Sequence, residues 1–302
     1  MKRRLLFSVL AAVLCLCAGC GVIYEDPYYT QTPPTEGADQ TVNSISDVTQ
    51  NPPEYTGEPY IPVNGNMPDF SDELHITTSY EYYSELDYLG RCGYAEACVG
   101  TDIMPTEDRE SISQVRPSGW QSVKYDFVDG ESLYNRCHLI AFQLTGENAK
   151  VGNLITGTRY MNTRGMLPFE EQIGDYVRET GNHVLYRVTP VFVGKELVAR
   201  GVIMEGWSVE DGGEDICFCV YAFNVQPGVV IDYATGNNHL DTEYDPIDPA
   251  DADYVLNNGS KKFHRPSCDS VMEMNANNRE YYVGPREKLI ERGYTPCGGC
   301  KP

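Results

Sequence analysis

Apolar and polar positions fall into regular patterns from Leu74 to about Leu240, and only weakly on either side. Residues 121–128 read as a strand, and three longer β-rich runs follow at 183–193, 197–207 and 216–225. Gly194 and Asp211-Gly212-Gly213 punctuate those runs as turn signals, which predicts an antiparallel meander. A helix is expected before the meander, with Pro168 in its first turn and its end at Thr180-Gly181. Phe169, Ile173, Tyr176 and Val177 give that helix an apolar stripe at helical spacing. The expected class is α+β with a central antiparallel sheet. No internal repeat is visible.

The flanks are built differently. Lys2, Arg3 and Arg4 precede an apolar run from Leu5 to Leu16 that is short for a bilayer span. The run ends in Cys17-Ala18-Gly19-Cys20, which resembles a bacterial lipobox, with Cys17 where leucine is usual. Residues 1–20 are therefore read as a lipoprotein signal peptide with Cys20 as the lipidated residue. That implies export and anchoring at the bacterial cell surface; ordinary cleavage and full secretion is the alternative. Residues 21–70, rich in Pro, Thr, Tyr, Asn and Asp, offer too little apolar surface to offset ordering entropy and are expected to be a disordered tether. A main domain over 71–242, an acidic linker over 243–253 and a compact unit over 254–302 complete the expected organisation.

Export permits disulfides. Of eleven cysteines, Cys15, Cys17 and Cys20 belong to the export segment, leaving eight. Cys92 and Cys98 could close a small loop. Cys217 and Cys219 alternate on an expected strand, so both face one side and suit packing better than bonding to each other. The formal charge of −21 disfavours a polyanion partner at first sight. Its distribution changes the picture. From Arg116 to Arg164 six basic residues face four acidic ones, and from Tyr254 onwards eight face five.

The central segment carries the candidate chemistry: Asn135-Arg136-Cys137-His138, then Asn153, Asn162 and Glu170. Phosphodiester hydrolysis needs a base for water, a cation on the phosphate oxygens and support for the leaving oxygen. His138 suits the base, since free imidazole titrates near neutrality. Asn162 offers an oxygen to Mg²⁺, a hard ion that needs few protein ligands. Glu170 can hold a water of that ion, and Arg136 can meet phosphate as a fork of donors. These residues resemble the DNA/RNA non-specific endonuclease family of ββα-metal nucleases, whose signature is Asp-Arg-Gly-His, an Asn, a metal-binding Asn nine residues later and a Glu eight beyond that. Asn153, Asn162 and Glu170 keep both spacings.

The resemblance implies His138 as general base, Asn162 as the sole direct protein ligand of Mg²⁺ and Glu170 acting through the ion's waters. It gives Arg136 and Asn153 supporting roles around the phosphate. Asn135 replaces the signature Asp and removes a charge; Cys137 replaces Gly and adds a side chain beside the base. A helper arginine expected four residues after Glu170 is missing, because position 174 is Gly; Arg178 is the candidate substitute. Arg116, Arg159 and Arg164 are candidate substrate contacts, although Arg159 and Arg164 could equally belong to a solvated face. A lone His before Leu-Ile is more often structural than catalytic, and an isolated Asn is usually a cap or turn residue. The joint spacing reverses that for His138, whereas His75, His183 and His239 have no partner pattern.

In the C-terminal unit His264-x₃-Cys268 and Cys297-x₂-Cys300 form two pairs with metal-ligand spacing, which fits a tetrahedral structural Zn²⁺. So small a unit benefits from a staple. A disulfide among the three cysteines would leave one thiol over and give His264 no role. The spacing resembles the metal-binding domain of the Ada DNA-repair protein, with His264 in place of the methyl-accepting cysteine, which implies a zinc fold without methyl transfer. The combined expectation is a Mg²⁺-dependent endonuclease acting on DNA and RNA through phosphate contacts. The alternatives are a non-catalytic surface protein that captures extracellular DNA, supported by Asn135 and Cys137, and a surface protein with a structural role.

Overall fold

The structure is a computed structural model that describes residues 44–243, 250–274 and 278–302. The expected signal peptide with Cys20, the first part of the expected tether and most of the expected acidic linker lie outside the described residues.

A six-stranded antiparallel sheet organises the main domain. Its strands are β1 (Tyr60–Pro62), β2 (Tyr80–Tyr83), β3 (Ala95–Val99), β6 (Val184–Val191), β7 (Gly201–Ser208) and β8 (Cys217–Phe223), in the order β1-β8-β7-β6-β3-β2. The expected meander is β6-β7-β8. Two further strands, β4 (Tyr134–His138) and β5 (Leu154–Thr158), pair antiparallel as a separate ribbon. A short helix, α2 (Phe142–Thr145), lies between them; after β5 a wide turn over Met161–Met166 leads into the helix α3 (Leu167–Thr180). Pro168 sits in the first turn of α3, and Gly181 ends it at φ 74°, a left-handed position that suits glycine.

Strand alternation sorts the sheet residues between two cores. Ala95, Ala97, Tyr186, Val188, Val202, Met204, Phe218 and Val220 face the β4-β5 ribbon and the Ile173 and Val177 side of α3. Val191, Ile203, Tyr221 and Phe223 face the other way and pack with Val48 and Val63. That second core corrects the expectation of a tether reaching residue 70. The helix α1 (Ile45–Gln50), capped by Ser44, packs Val48 on this face, and the edge strand β1 extends the sheet in register with Val220–Ala222 of β8.

Two other expectations fail locally. Residues 121–128 form turns with one isolated bridge, Lys124 to Ser132, because Gly130 and Glu131 take positive φ and double the chain back. Cys92 and Cys98 form no disulfide. Their thiols donate in different directions, Cys92 to the carbonyls of Val151 and Leu154 and Cys98 to that of Ile76. Cys219 is buried and Cys217 lies against Met67, both as free thiols.

Beyond a small hairpin of β9 (Val229–Ile231) and β10 (Asn238–Leu240) lies the C-terminal unit. Its sheet, in the order β13-β11-β12-β14, comprises β11 (Tyr254–Asn257), β12 (Lys262–His264), β13 (Arg279–Tyr282) and β14 (Thr295–Pro296). The helices α4 (Asp269–Met272) and α5 (Arg286–Glu291) complete the unit. Its cores are small: Leu256, Phe263, Leu289 and Tyr294 in one, and Val255, Val271 and Met274 in the other. No helix among the described residues is long and apolar enough to cross a membrane.

Candidate active site and metal cluster

The end of β4, the wide turn and the first turn of α3 meet at an open pocket of about 530 Å³. Its lining includes Arg109, Trp120, Asn135, Arg136, His138, Asn162 and Glu170. The sequence-predicted His138, Asn162, Glu170 and Arg136 are thus brought together, with Arg159 at the edge.

His138 is buried, and its Nε2 lies 2.8 Å from the Asn148 carbonyl. A carbonyl only accepts, so the proton of the neutral ring resides on Nε2 and the lone pair on Nδ1. The Arg109 guanidinium lies 3.3 Å from that Nδ1. Burial above all, reinforced by the Arg109 charge, pulls the imidazole down to about 4 against the bond to Asn148. At neutral pH the ring is uncharged and can accept a proton.

Glu170 is buried on α3, where desolvation and its neighbour Glu171 push its carboxyl up to about 8. An ionised Glu170 therefore calls for positive charge beside it. Asn162 presents an amide whose Oδ1 accepts from the Cys137 thiol at 2.8 Å, leaving that oxygen's second lone pair. Two hard oxygen donors on one pocket wall fit a hydrated Mg²⁺.

Cys137 does not line the pocket but lies behind it, its thiol on the Asn162 amide rather than on the His138 ring. Cys137 is fully buried among Met161, Met166 and Gly157, where a glycine Cβ would lie 2.7 Å from the Cys137 Cβ. Asn135 lines the pocket with a buried Nδ2 that has no hydrogen-bond partner.

Three expected roles change. Asn153 is fully buried and does not line the pocket. Its Oδ1 accepts from Ile140 N at 2.8 Å and its Nδ2 donates to Ile140 O at 2.9 Å, extending the β4-β5 pairing just past His138. It is a backbone clamp, not a phosphate contact. Arg178 bonds Asp175 and stays outside the pocket, so it is not the missing helper. Arg116 is exposed and bonds the Ser113 and Val115 carbonyls. Arg136 bonds those same two carbonyls at 2.8 and 2.7 Å and lies 4.0 Å over the Trp120 ring, so it anchors the loop as well as facing the pocket. Arg159 forms a two-pronged pair with Asp129. Arg109 was not singled out in the sequence. It sits between Asp108 and Glu110 in an irregular loop, and only the chain's return to His138 reveals it.

In the C-terminal unit the ligand atoms of His264, Cys268, Cys297 and Cys300 all lie within 4.8 Å of one another. His264 is buried and neither ring nitrogen has a hydrogen-bond partner. A buried imidazole with both nitrogens unpaired beside three thiols is costly without a metal and natural with one.

Residues 72–209 match the family described as DNA/RNA non-specific endonuclease. Among solved structures, magnesium-bound NucA from Streptococcus agalactiae is 24% identical, with a TM-score of 0.55, covering 62% of this chain and 90% of its own. The metal-free form gives 25%, 0.55, 66% and 92%. Zinc-bound Sda1 nuclease gives 26%, 0.52, 62% and 97%. No protein of curated function matches the chain. Residues 72–209 are thus similar in sequence and fold to the DNA/RNA non-specific endonucleases, and in this chain a His/Cys metal-binding cluster follows them.

Proposed function

We propose that the protein is an exported, Mg²⁺-dependent endonuclease that hydrolyses phosphodiester bonds in DNA and RNA without sequence preference. The observation that carries this reading is the placement of His138: its Nε2 lies 2.8 Å from Asn148 O, and Nδ1, with Arg109 3.3 Å away, is left on the side of the pocket shared with Asn162 and Glu170. Nδ1 of His138 takes a proton from the attacking water as that water's oxygen bonds phosphorus and the P–O bond to the leaving sugar oxygen breaks, the leaving oxygen taking a proton from solvent. Asn162 would hold the ion directly, and Glu170 would hold it through its waters. Bound there, Mg²⁺ supplies positive charge to the phosphate and to the leaving oxygen. Arg109 and Arg136 supply further positive charge at the pocket. Contacts to phosphate rather than base edges account for the absence of sequence preference. The metal of the C-terminal cluster is proposed to be Zn²⁺ in a structural role, and Cys20 the site of lipid anchoring.

A second reading, capture of DNA without turnover, is favoured by one observation. Arg109 sits on the nitrogen that would serve as base, and His138 is pulled to about 4, which makes it a weak one. Digestion of duplex DNA and of RNA across a Mg²⁺ titration separates the two. The nuclease reading expects Mg²⁺-dependent fragmentation of both polymers; retention of intact DNA on the protein at every Mg²⁺ concentration supports capture.

A further inference from the structure

A second cleft, of about 600 Å³, adjoins the candidate active site and shares Arg159 and Leu167 with it. One wall comes from the wide turn and α3 (Thr163, Arg164, Glu171); the other comes from the C-terminal unit (Asn258, Lys261, Arg292). Five acidic side chains line it, but most are matched. Asp129 pairs with Arg159 and Glu291 with Lys288, while Glu58 and Glu280 share Arg292. Glu171 remains, against Arg164 and Lys261, which form no ion pair among the described residues.

Lys261 is held unusually. Its backbone takes φ +48°, an uncommon conformation for a side-chain-bearing residue, and its ammonium lies 5.1 Å over the Tyr294 ring. Burial lowers its pKa, and the nearby Arg164 charge lowers it further. Glu171 offsets part of the charge that Arg164 and Lys261 bring to the cleft, and a phosphate held by both would offset the rest.

We infer that this cleft continues the phosphate track out of the active site, with Arg164 and Lys261 gripping a backbone phosphate of a nucleic-acid strand away from the scissile bond. The C-terminal unit is then half of a substrate clamp, and its metal cluster shapes the wall that carries Lys261. This rests on the nuclease reading for the substrate class, though the clamp itself requires no chemistry.

Binding of a fluorescent 20-nucleotide single strand to the full chain, with no added Mg²⁺ and no chelator, tests it by anisotropy over a salt series. Each single-strand phosphate contact contributes roughly 0.7 to the slope of log K against log salt. Lys261→Gln and Arg164→Gln should each lower that slope by about 0.7 and weaken binding about fivefold at 0.1 M salt. Lys262→Gln removes the same charge from a neighbour that is exposed like Lys261 but does not line the cleft, and should change affinity less than about twofold. Lys261→Arg should restore binding, and unchanged melting curves exclude misfolding. Losses for Lys261 and Arg164 no larger than for Lys262 overturn the clamp. A protein that never cuts DNA yet gives the expected pattern keeps the clamp and loses the nuclease; one that cuts but is indifferent to both variants does the reverse.

Discussion

Replacing Asn153 tests whether the site is held by the clamp on Ile140. The side chain is fully buried and makes two good hydrogen bonds to one residue, at 2.8 and 2.9 Å. Asn153→Ala strands a buried N–H and a buried carbonyl, each costing about 1–3 kcal/mol. Some relaxation will occur, so a total of about 3 kcal/mol is expected, a fall in Tm of roughly 6–12 °C for a domain of this size. Asn153→Asp is the sharper variant. Protonated, it can still donate to the Ile140 carbonyl; ionised, it sets a buried charge against that carbonyl. Its folded pKa must then lie above the unfolded value of about 3.9, the folded state binds the extra proton, and stability falls as pH rises between the two. From pH 5 to 8 the deficit should grow by about 1.4 kcal/mol for each unit by which the folded pKa exceeds 5. Urea denaturation of wild type and both variants at pH 5 and pH 8 measures this directly. An Asn153→Ala protein within about 1 kcal/mol of wild type, or an Asn153→Asp deficit that ignores pH, refutes the clamp.

Three other outcomes follow from the same geometry. With its carboxyl near 8, Glu170 is mostly protonated at pH 7, so Mg²⁺ binding should release close to one proton there and tighten as pH rises towards 8; calorimetry in two buffers reads the proton, and Glu170→Gln should abolish it. Arg109 depresses the His138 pKa, so Arg109→Ala should move the acid limb of the kcat/KM profile to higher pH; a limb that stays or falls contradicts the contact. Removing the C-terminal metal should unfold residues 254–302, whose cores are small, seen as loss of protection in hydrogen exchange there while α3 stays protected; unchanged protection makes the cluster dispensable.

Local signals in the sequence were reliable where one element contained all the information. The helix α3 has its proline, its glycine and its stripe within fifteen residues, and the meander has its turns in line. The zinc-type ligands come as two tight pairs, so only one long-range closure had to be inferred. What failed depended on partners far away in the chain. Tyr60–Pro62 is too short to show a period, and pairs with a strand about 160 positions later. Cys92 and Cys98 are close in sequence, but their thiols point at different carbonyls. Spacing singles out Asn153 but cannot tell a side chain that meets substrate from one that, like this one, holds the backbone beside it. Arg109 had no local signal at all.

The central claim is that Nδ1 of His138 is the base of a phosphodiester hydrolysis. Initial rates of supercoiled plasmid relaxation and fragmentation, for wild type and His138→Ala with and without Mg²⁺, test it most directly. The account predicts Mg²⁺-dependent cleavage that His138→Ala lowers by about 10²–10⁴-fold, the usual worth of a general base, while DNA binding and the melting curve hold. Wild-type-like cleavage by His138→Ala, or intact plasmid with the folded wild-type protein at every Mg²⁺ concentration, would contradict it.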